Sequence, residues 1–240
     1  MTRRYPAILL MSLALSACSS GASDQSTTSL TTPDLGAVAT TAGPIGPISE
    51  LPQEERIAAT FALFSQGLPA ADLVDQMGIA LEAEISDPAP GDGPGWFSAS
   101  ETLQEHYTRV MAAEGESAIP AIRRRMASTD DGTAELWYLV ALGYAGDDTI
   151  DTDLASAVES DPTPPVAMHL MELVAKRSIV EAIPMLKEYL TSDLQWKNTH
   201  VGGRPPIFPL RDQAAGALRN LGYTVYSDPD QPSVYAVIEP

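Results

Sequence analysis

Apolar residues recur every three or four positions from Leu51 to Gly222, which is the period of helices that bury one face. The alternation with a period of two that is typical of half-buried strands is confined to the C-terminal TVYSDPDQPSVYAVIEP. Ser98 and Glu101 have the spacing of a capping box, and Gly222 suits a left-handed helix end. Residues 51–240 are therefore predicted to form an all-α domain of nine helices, with a short β hairpin at the C-terminus.

For two of these helices, the sequence predicts a buried face or a starting residue. In the first helix, three apolar side chains fall on one face and are expected to be buried: Ile57, Phe61 and Phe64. In the eighth, Ser178 and Glu181 also have capping-box spacing, so the helix is expected to begin at Ser178. It would then contain Pro184 in its interior and would kink there.

Sequence features recur along the helical region at multiples of about 32 residues. Ile119-Pro120 returns 64 positions later as Ile183-Pro184, and Leu142-Gly143 returns as Leu221-Gly222 after an additional long loop. Helix pairs repeated at a fixed period bury their apolar faces against the neighbouring pair and form a curved stack. The spacing therefore favours a repeat architecture.

Two segments resemble HEAT repeats, particularly the short bacterial kind: AIPAIRRRMASTDDGTAELWYLVALGYAGD and AIPMLKEYLTSD…LRDQAAGALRNLG. The first helix carries Ile-Pro, an acidic turn follows, and the second helix reads Arg-x-x-Ala-x-x-Ala-Leu-x-x-Leu-Gly, from which Gln213 departs. The resemblance covers residues 116–222 and implies a right-handed α-solenoid of helix pairs. A non-repetitive helical bundle is the alternative arrangement of the same helices.

The first 17 residues have the order of a secretory signal, with Arg3 and Arg4 before an apolar stretch that is too short to span a bilayer. The ending Leu15-Ser16-Ala17-Cys18 resembles the lipobox of bacterial lipoproteins. That resemblance implies removal of residues 1–17 and lipidation of Cys18, the only cysteine of the chain.

The residues after the lipobox bear on location. Ser19 and Ser20 stand where an aspartate would direct retention at the inner membrane, so the resemblance implies the outer membrane, with the protein facing the periplasm. Of residues 19–50, 19 of 32 are Ser, Thr, Gly or Pro, and none is aromatic or basic. Such a composition cannot bury enough surface to offset its ordering entropy, so residues 18–50 are predicted to be a disordered tether.

Charge and composition exclude several function classes. The chain has 32 acidic and 14 basic residues and a formal net charge of −18, which argues against nucleic acid as a partner. One cysteine and three widely separated histidines predict neither a metal centre nor a cofactor. We interpret His106 and His169, both within helices, as structural residues.

Two charged runs have competing interpretations. The acidic run at 146–153 could bind calcium, but it lacks the central Gly and final Glu of an EF-hand loop, so Asp151 and Asp153 fit better as first-turn acids of a helix. Arg123, Arg124 and Arg125 point in three directions on a helix, and pairing with neighbouring acids is favoured over docking of a partner.

The long interruption at 193–209 is the predicted partner-binding segment, because insertions in repeat proteins often lie on the binding face. It holds the aromatic and basic candidates Trp196, Lys197, His200 and Arg204. The alternative is that Trp196 packs back against the end of the stack.

The leading functional hypothesis is a lipid-anchored envelope scaffold that binds a protein or peptide through its helical-repeat surface and touches the membrane only through its anchor. The alternatives are a cell-wall hydrolase, or an accessory factor to one, using groove carboxylates, and an acidic calcium-binding module. No residue is assigned a catalytic role.

Overall fold

The computed structural model describes residues 47–88, 90, 98–160, 162–194, 207–227 and 234–238. All of them belong to the second of two units into which the chain divides, residues 43–240. They form α-helices and one antiparallel pair of strands, which confirms the helical domain and the C-terminal hairpin. None of the described helices combines the length and the apolar character needed to cross a membrane.

Nine α-helices are described, and short 3-10 turns precede or separate several of them. In chain order they are α1 (Gln53–Ser65), α2 (Ala70–Ser86), α3 (Ala99–Ala112), α4 (Ile119–Ser128), α5 (Gly132–Ala145), α6 (Asp151–Glu159), α7 (Pro164–Lys176), α8 (Ile183–Tyr189) and α9 (Pro209–Asn220). The strands β1 (Thr224–Ser227) and β2 (Tyr235–Ile238) pair with Val225 opposite Val237.

Local signals define two of the helix ends as predicted. At the start of α3, the Glu101 backbone N–H donates to Ser98 Oγ at 3.1 Å, and the Ser98 N–H donates to Glu101 Oε2 at 2.6 Å. This capping box satisfies two donors that the first turn leaves unpaired. After α9, Gly222 has φ of 92°, and the Tyr223 N–H reaches the Leu218 carbonyl at 3.0 Å, as in a Schellman motif.

The predicted start of α8 is wrong. Ser178 does not cap this helix but follows the end of α7 in the left-handed region, with φ of 59°. The helix α8 begins at Ile183, so Pro184 lies in its first turn, where a missing N–H costs nothing and no kink arises. The chain between Ser178 and Ile183 is instead a 3-10 turn that includes Glu181.

The predicted buried face of α1 is also wrong. Ile57 and Phe61 are 39% and 44% exposed, and Phe64 is half-buried. The face that does pack carries three residues at helical spacing: Arg56, Thr60 and Leu63. A fully buried carboxylate on α2, Glu84, pairs with Arg56 and so rotates the polar side of α1 inward.

Contacts between helices follow a regular order. Each of α2, α4, α6 and α8 contacts the helix that follows it, and these following helices, α3, α5, α7 and α9, contact one another in sequence. We call α3, α5, α7 and α9 the second helices. At the contact of α5 with α7, a Cβ added to Gly143 would lie 2.6 Å from Leu173 Cδ1, so the glycine allows this close approach.

The helix α5 lies at the centre of the core. Its side chains are buried over almost the whole circumference, including Trp137, Tyr138 and Leu142. A helix that is apolar on all sides is expected to be buried rather than amphipathic. Because α5 contacts α2, α3, α4, α6 and α7, it connects the early helix pairs to the later ones.

The folded region begins earlier than the predicted boundary at Leu51. Ile48, at the end of the predicted tether, is 2% exposed and starts the 3-10 turn Ile48–Glu50. Arg56 holds this turn, since its Nε donates to the Leu51 carbonyl at 3.0 Å and its Nη2 to the Ser49 carbonyl at 3.1 Å. The predicted signal, Cys18 and the rest of the tether lie outside the described residues.

Candidate functional site

The partner-binding residues predicted from the sequence, Trp196, Lys197, His200 and Arg204, lie outside the described residues, as does the lipidation candidate Cys18. The described part of the chain brings together a different group of polar side chains, on the second helices. We therefore describe the site from these helices.

A cavity of about 180 Å³ opens on the surface of the second helices. Its lining comes from α3, α7 and α9: Glu105, Arg109, Met168, His169, Glu172 and Gln213. Tyr144 of α5 reaches the same group through hydrogen bonds to two of these residues. We call this group, together with Tyr144, the second-helix pocket.

His169 forms the floor of the second-helix pocket and is 6% exposed. Its ring packs against Trp137, with ring centres 5.6 Å apart, and against the edge of Tyr144 at 5.8 Å. Its Nδ1 lies 2.8 Å from Tyr144 Oη, whereas its buried Nε2 has no hydrogen-bond partner. Glu105 Oε1 lies 3.7 Å from Nε2.

The short contacts of Tyr144 determine which nitrogen of His169 carries the proton. Tyr144 Oη donates its single proton to Glu172 Oε2 at 2.9 Å. The 2.8 Å contact of Oη with His169 Nδ1 is then a hydrogen bond only if Nδ1 is the donor. The neutral imidazole therefore presents the lone pair of Nε2 toward Glu105.

Burial keeps this imidazole neutral. Desolvation lowers the pKa of His169, and Arg109 also lowers it, while the negative charges of Glu105 and Glu172 act in the opposite direction without reversing the shift. Burial likewise raises the pKa of Tyr144, so its hydroxyl keeps its proton and remains a donor to Glu172. At neutral pH His169 Nε2 is consequently an acceptor.

A charged pair covers the buried nitrogen. Arg109 Nε donates to Glu105 Oε1 at 2.7 Å, one helical turn apart on α3, and its guanidinium lies 5.2 Å from the centre of the Tyr144 ring. The Arg109 side chain is 51% exposed. Pairs of this kind contribute only about 0.3–0.5 kcal/mol, so the Glu105–Arg109 cover is easily exchanged.

The second-helix pocket is richer in acceptors than in donors. The carboxylates of Glu105 and Glu172 and the lone pair of His169 Nε2 are acceptors, and Arg109 is the one cation of the lining. Gln213 Nε2 donates to the Met168 carbonyl at 3.3 Å, so its amide oxygen adds a further acceptor. With His169 neutral, the formal charge of the lining is −1.

Sequence reasoning interpreted His169 as structural, and its packing against Trp137 agrees with that interpretation. The participation of its Nε2 in a pocket was not predicted. A signal was present in the repeat spacing, because Glu105, Trp137 and His169 are 32 residues apart and so occupy equivalent positions of successive second helices. His106, the other helical histidine, packs edge-on against Phe61 at 5.1 Å in keeping with a structural role.

The three consecutive arginines pair with acids, as expected. Arg123 contacts Asp147, Arg124 lies 3.2 Å from Asp75, and Arg125 lies 2.8 Å from Glu82. The pairs of Arg124 and Arg125 both join α4 to α2, and the pair of Arg123 joins α4 to the turn between α5 and α6. These arginines therefore hold α4 against its neighbours.

Two acids of the run at 146–153 already have cationic partners, since Asp147 pairs with Arg123 and Asp151 with Arg177. Burial opposes ionisation of Asp147, but hydrogen bonds from Thr149 and Arg123 outweigh it and lower the pKa of that carboxyl. Asp151 and Asp153 occupy the first turn of α6, as predicted. Within the described ranges, no three His, Cys, Asp or Glu side chains are grouped so that they could hold a metal ion.

A second cavity, of about 610 Å³, lies between the start of α7, α8 and the start of α9. Leu194, the last described residue before the loop, contributes to its lining along with Pro164, Met185 and Leu210. Only two carboxylates, Glu159 and Glu188, are charged groups in this lining. It lacks the buried, unpartnered polar atom that distinguishes the second-helix pocket.

No family model, no curated protein and no solved structure matches the chain. The functional argument therefore rests on the geometry of the second-helix pocket and on the sequence motifs.

Lowering the pH from about 7.5 to about 5.5 is expected to destabilise the protein partly through His169. Because burial lowers the pKa of His169 below its usual 6.5, the unfolded chain takes up a proton at this position before the folded chain does. The free energy of unfolding therefore falls as the pH drops through this window. Urea unfolding at both pH values should show a smaller loss for His169→Gln than for the unmodified chain.

Burial also lowers the pKa of His106. Because His106 is present in both proteins, its contribution to the loss of stability is the same in each. An equal loss of stability in both proteins would mean that His169 titrates like an exposed histidine.

Proposed function

We propose that this protein is a lipid-anchored scaffold of the bacterial cell envelope that binds a protein or peptide partner through the surface of its second helices. The observation that carries this proposal is the second-helix pocket, to which α3, α5, α7 and α9 all contribute. A site assembled from four helices that are far apart in sequence is typical of repeat proteins, which bind along an extended surface.

The proposed architecture is a right-handed α-solenoid of HEAT-like helix pairs. Its support is the ordered contact of each second helix with the next, the close approach at Gly143 and the recurrence of motifs at multiples of about 32 residues. In such a stack the second helices would line the concave face, where a partner segment can contact several repeats at once.

The proposed location follows from the lipobox resemblance at Cys18. Acyl chains on this residue would anchor the protein, and residues 19–46 would separate the folded unit from the membrane. With serines after the cysteine, we place the anchor in the outer membrane and the folded unit in the periplasm. The loop residues Trp196, Lys197, His200 and Arg204 are proposed as a second contact with the partner.

Crosslinking in living cells, followed by capture of the tagged full-length chain, tests the proposal. We expect one envelope protein in near-equimolar amount, and a loss of about tenfold in its recovery when Glu105→Gln and His169→Gln are combined, since hydrogen bonds to charged groups are removed. Glu135→Gln changes an exposed glutamate outside the pocket and serves as the matched control.

Two results would contradict this assignment. Equal recovery with the double variant and with Glu135→Gln would remove the partner from the second-helix pocket. Failure to recover any partner, together with activity on purified cell wall, would favour the hydrolase alternative.

Cys18→Ala is expected to abolish incorporation of labelled fatty acid and processing at that position, because the acyl-accepting sulfur is lost. The measurement is the radioactivity of the captured chain after growth with a labelled fatty acid. Labelling that persists in the variant would show that the protein is anchored elsewhere or not through a lipobox. The Glu135→Gln variant should be labelled as the unmodified chain is.

A further inference from the structure

Building on the proposed function, we propose that the second-helix pocket receives the ammonium group of a lysine side chain of the partner, held by Glu105 and His169 Nε2. The proposal names the chemistry of the bound group, which the scaffold assignment leaves open. It rests on the orientation of acceptors, the size of the pocket and the exchangeable position of Arg109.

The acceptors fit a donor that carries more than one hydrogen. Glu105 Oε1 and His169 Nε2 lie 3.7 Å apart, and neither can donate to the other while the neutral imidazole carries its proton on Nδ1. A nitrogen at hydrogen-bond distance from both atoms would see them at an angle of roughly 80°, close enough for two N–H bonds of one ammonium group. His169 Nε2 is buried and has no hydrogen-bond partner, and an ammonium group would supply that missing hydrogen bond.

The pocket has the size and lining of a lysine side chain. A cavity of about 180 Å³ is many times the roughly 10–15 Å³ that a single water needs, so it has room for the methylene stem and the ammonium group of a lysine. Met168 contributes an apolar side chain to the lining for the methylene stem, and Glu105 and Glu172 contribute carboxylates for the charge.

Arg109 acts as an internal cation that the ligand replaces. It already neutralises Glu105 through the Nε contact of 2.7 Å, and half of its side chain is exposed to solvent. Because Nε2 of His169 is covered, the ligand must displace the exposed Arg109 guanidinium from Glu105, and the weakness of this pair keeps the cost of the displacement small. The net charge of −1 in the lining, within a chain of net charge −18, also favours a cation over an anion.

The test follows the imidazole signals of His169 by NMR in the full-length chain in detergent micelles. The probes are n-butylammonium, n-butanol and butyrate, and then the tripeptide N-acetyl-Gly-Lys-Gly-amide with its side-chain-acetylated form. We expect saturable shifts with n-butylammonium and with the tripeptide, and none with butanol, butyrate or the acetylated peptide.

Variants separate binding from misfolding, because they are expected to change affinity in opposite directions. Glu105→Gln should weaken binding of n-butylammonium at least fivefold, whereas Arg109→Met, which removes the internal cation, should tighten it about threefold. Glu135→Gln should leave the affinity unchanged. Loss of fold cannot produce tighter binding, so Arg109→Met keeps the test decisive even if Glu105→Gln is unstable.

Equal shifts with butanol, or affinities unaffected by both variants, would overturn the ammonium assignment. Binding of n-butylammonium without binding of the tripeptide would overturn the lysine assignment in favour of a free amine. If the captured partner depends on the pocket but no amine binds, the inference fails and the scaffold proposal stands. If amines bind as expected but cells yield no partner, the scaffold proposal fails instead.

Discussion

Trp137→Ala is expected to lower the free energy of unfolding by about 3–5 kcal/mol, because it leaves a cavity in the centre of the core. Trp137 is fully buried on α5, and its Nε1 donates to Gln104 Oε1 at 2.9 Å, so the substitution also removes the partner of a buried amide. Urea unfolding followed by far-UV circular dichroism measures the change.

The matched control is Phe61→Ala, which removes an aromatic side chain that is exposed rather than buried. Because only its edge contact with His106 is lost, the effect should be about 1 kcal/mol, near the average for point substitutions and well below that of Trp137→Ala. If both substitutions destabilise the protein equally, the central position of α5 in the core is wrong.

Arg56→Met is expected to destabilise the protein by roughly 3 kcal/mol, through the carboxylate that it leaves behind. Glu84 is fully buried, whereas the Arg56 side chain retains 18% exposure, so the variant removes the guanidinium that compensates a buried charge. It also releases the Ile48–Glu50 turn, whose carbonyl at Ser49 accepts from Arg56. Thermal and urea unfolding should both register the loss.

Two further variants test whether the uncompensated Glu84 carboxylate causes this destabilisation. Replacing both partners, as Arg56→Met with Glu84→Leu, should recover a substantial part of the lost stability, because an apolar pair of similar size needs no compensation. Arg124→Met breaks an exposed pair with Asp75 and should cost less than about 1 kcal/mol. A double variant that is less stable than Arg56→Met would show that Glu84 stabilises the fold by other contacts.

Much of the fold follows from local sequence signals. The helical period, the capping box at Ser98 and the left-handed glycine at 222 act within one or two turns, and the structure agrees with each of them. The predictions that are wrong concern positions where contacts between residues far apart in sequence determine the conformation. Ser178 has the spacing of a cap, yet the chain there leaves α7 in a left-handed conformation before α8 begins.

Contacts between distant residues also determine which face of α1 is buried and where the second-helix pocket forms. Apolar spacing predicted that Phe61 would be buried, but the buried Glu84 of α2 draws Arg56 inward and turns Phe61 outward, which no local pattern reveals. The second-helix pocket depends on residues from several helices, so only the 32-residue spacing between Glu105, Trp137 and His169 hints at their proximity. No sequence pattern predicted the hydrogen bonds of Tyr144 with His169 and Glu172.

The close approach at Gly143 influences the second-helix pocket from a distance. Leu173, which faces this glycine, is 1% exposed, so a close-packed interior leaves it little room to turn away from an added methyl group. The helix α7 would have to move instead, and it carries His169 and Glu172 relative to Glu105 on α3. The width of the second-helix pocket is thus set in part by Gly143, a residue outside its lining, and Gly143→Ala is expected to change the separation of α3 and α7 there.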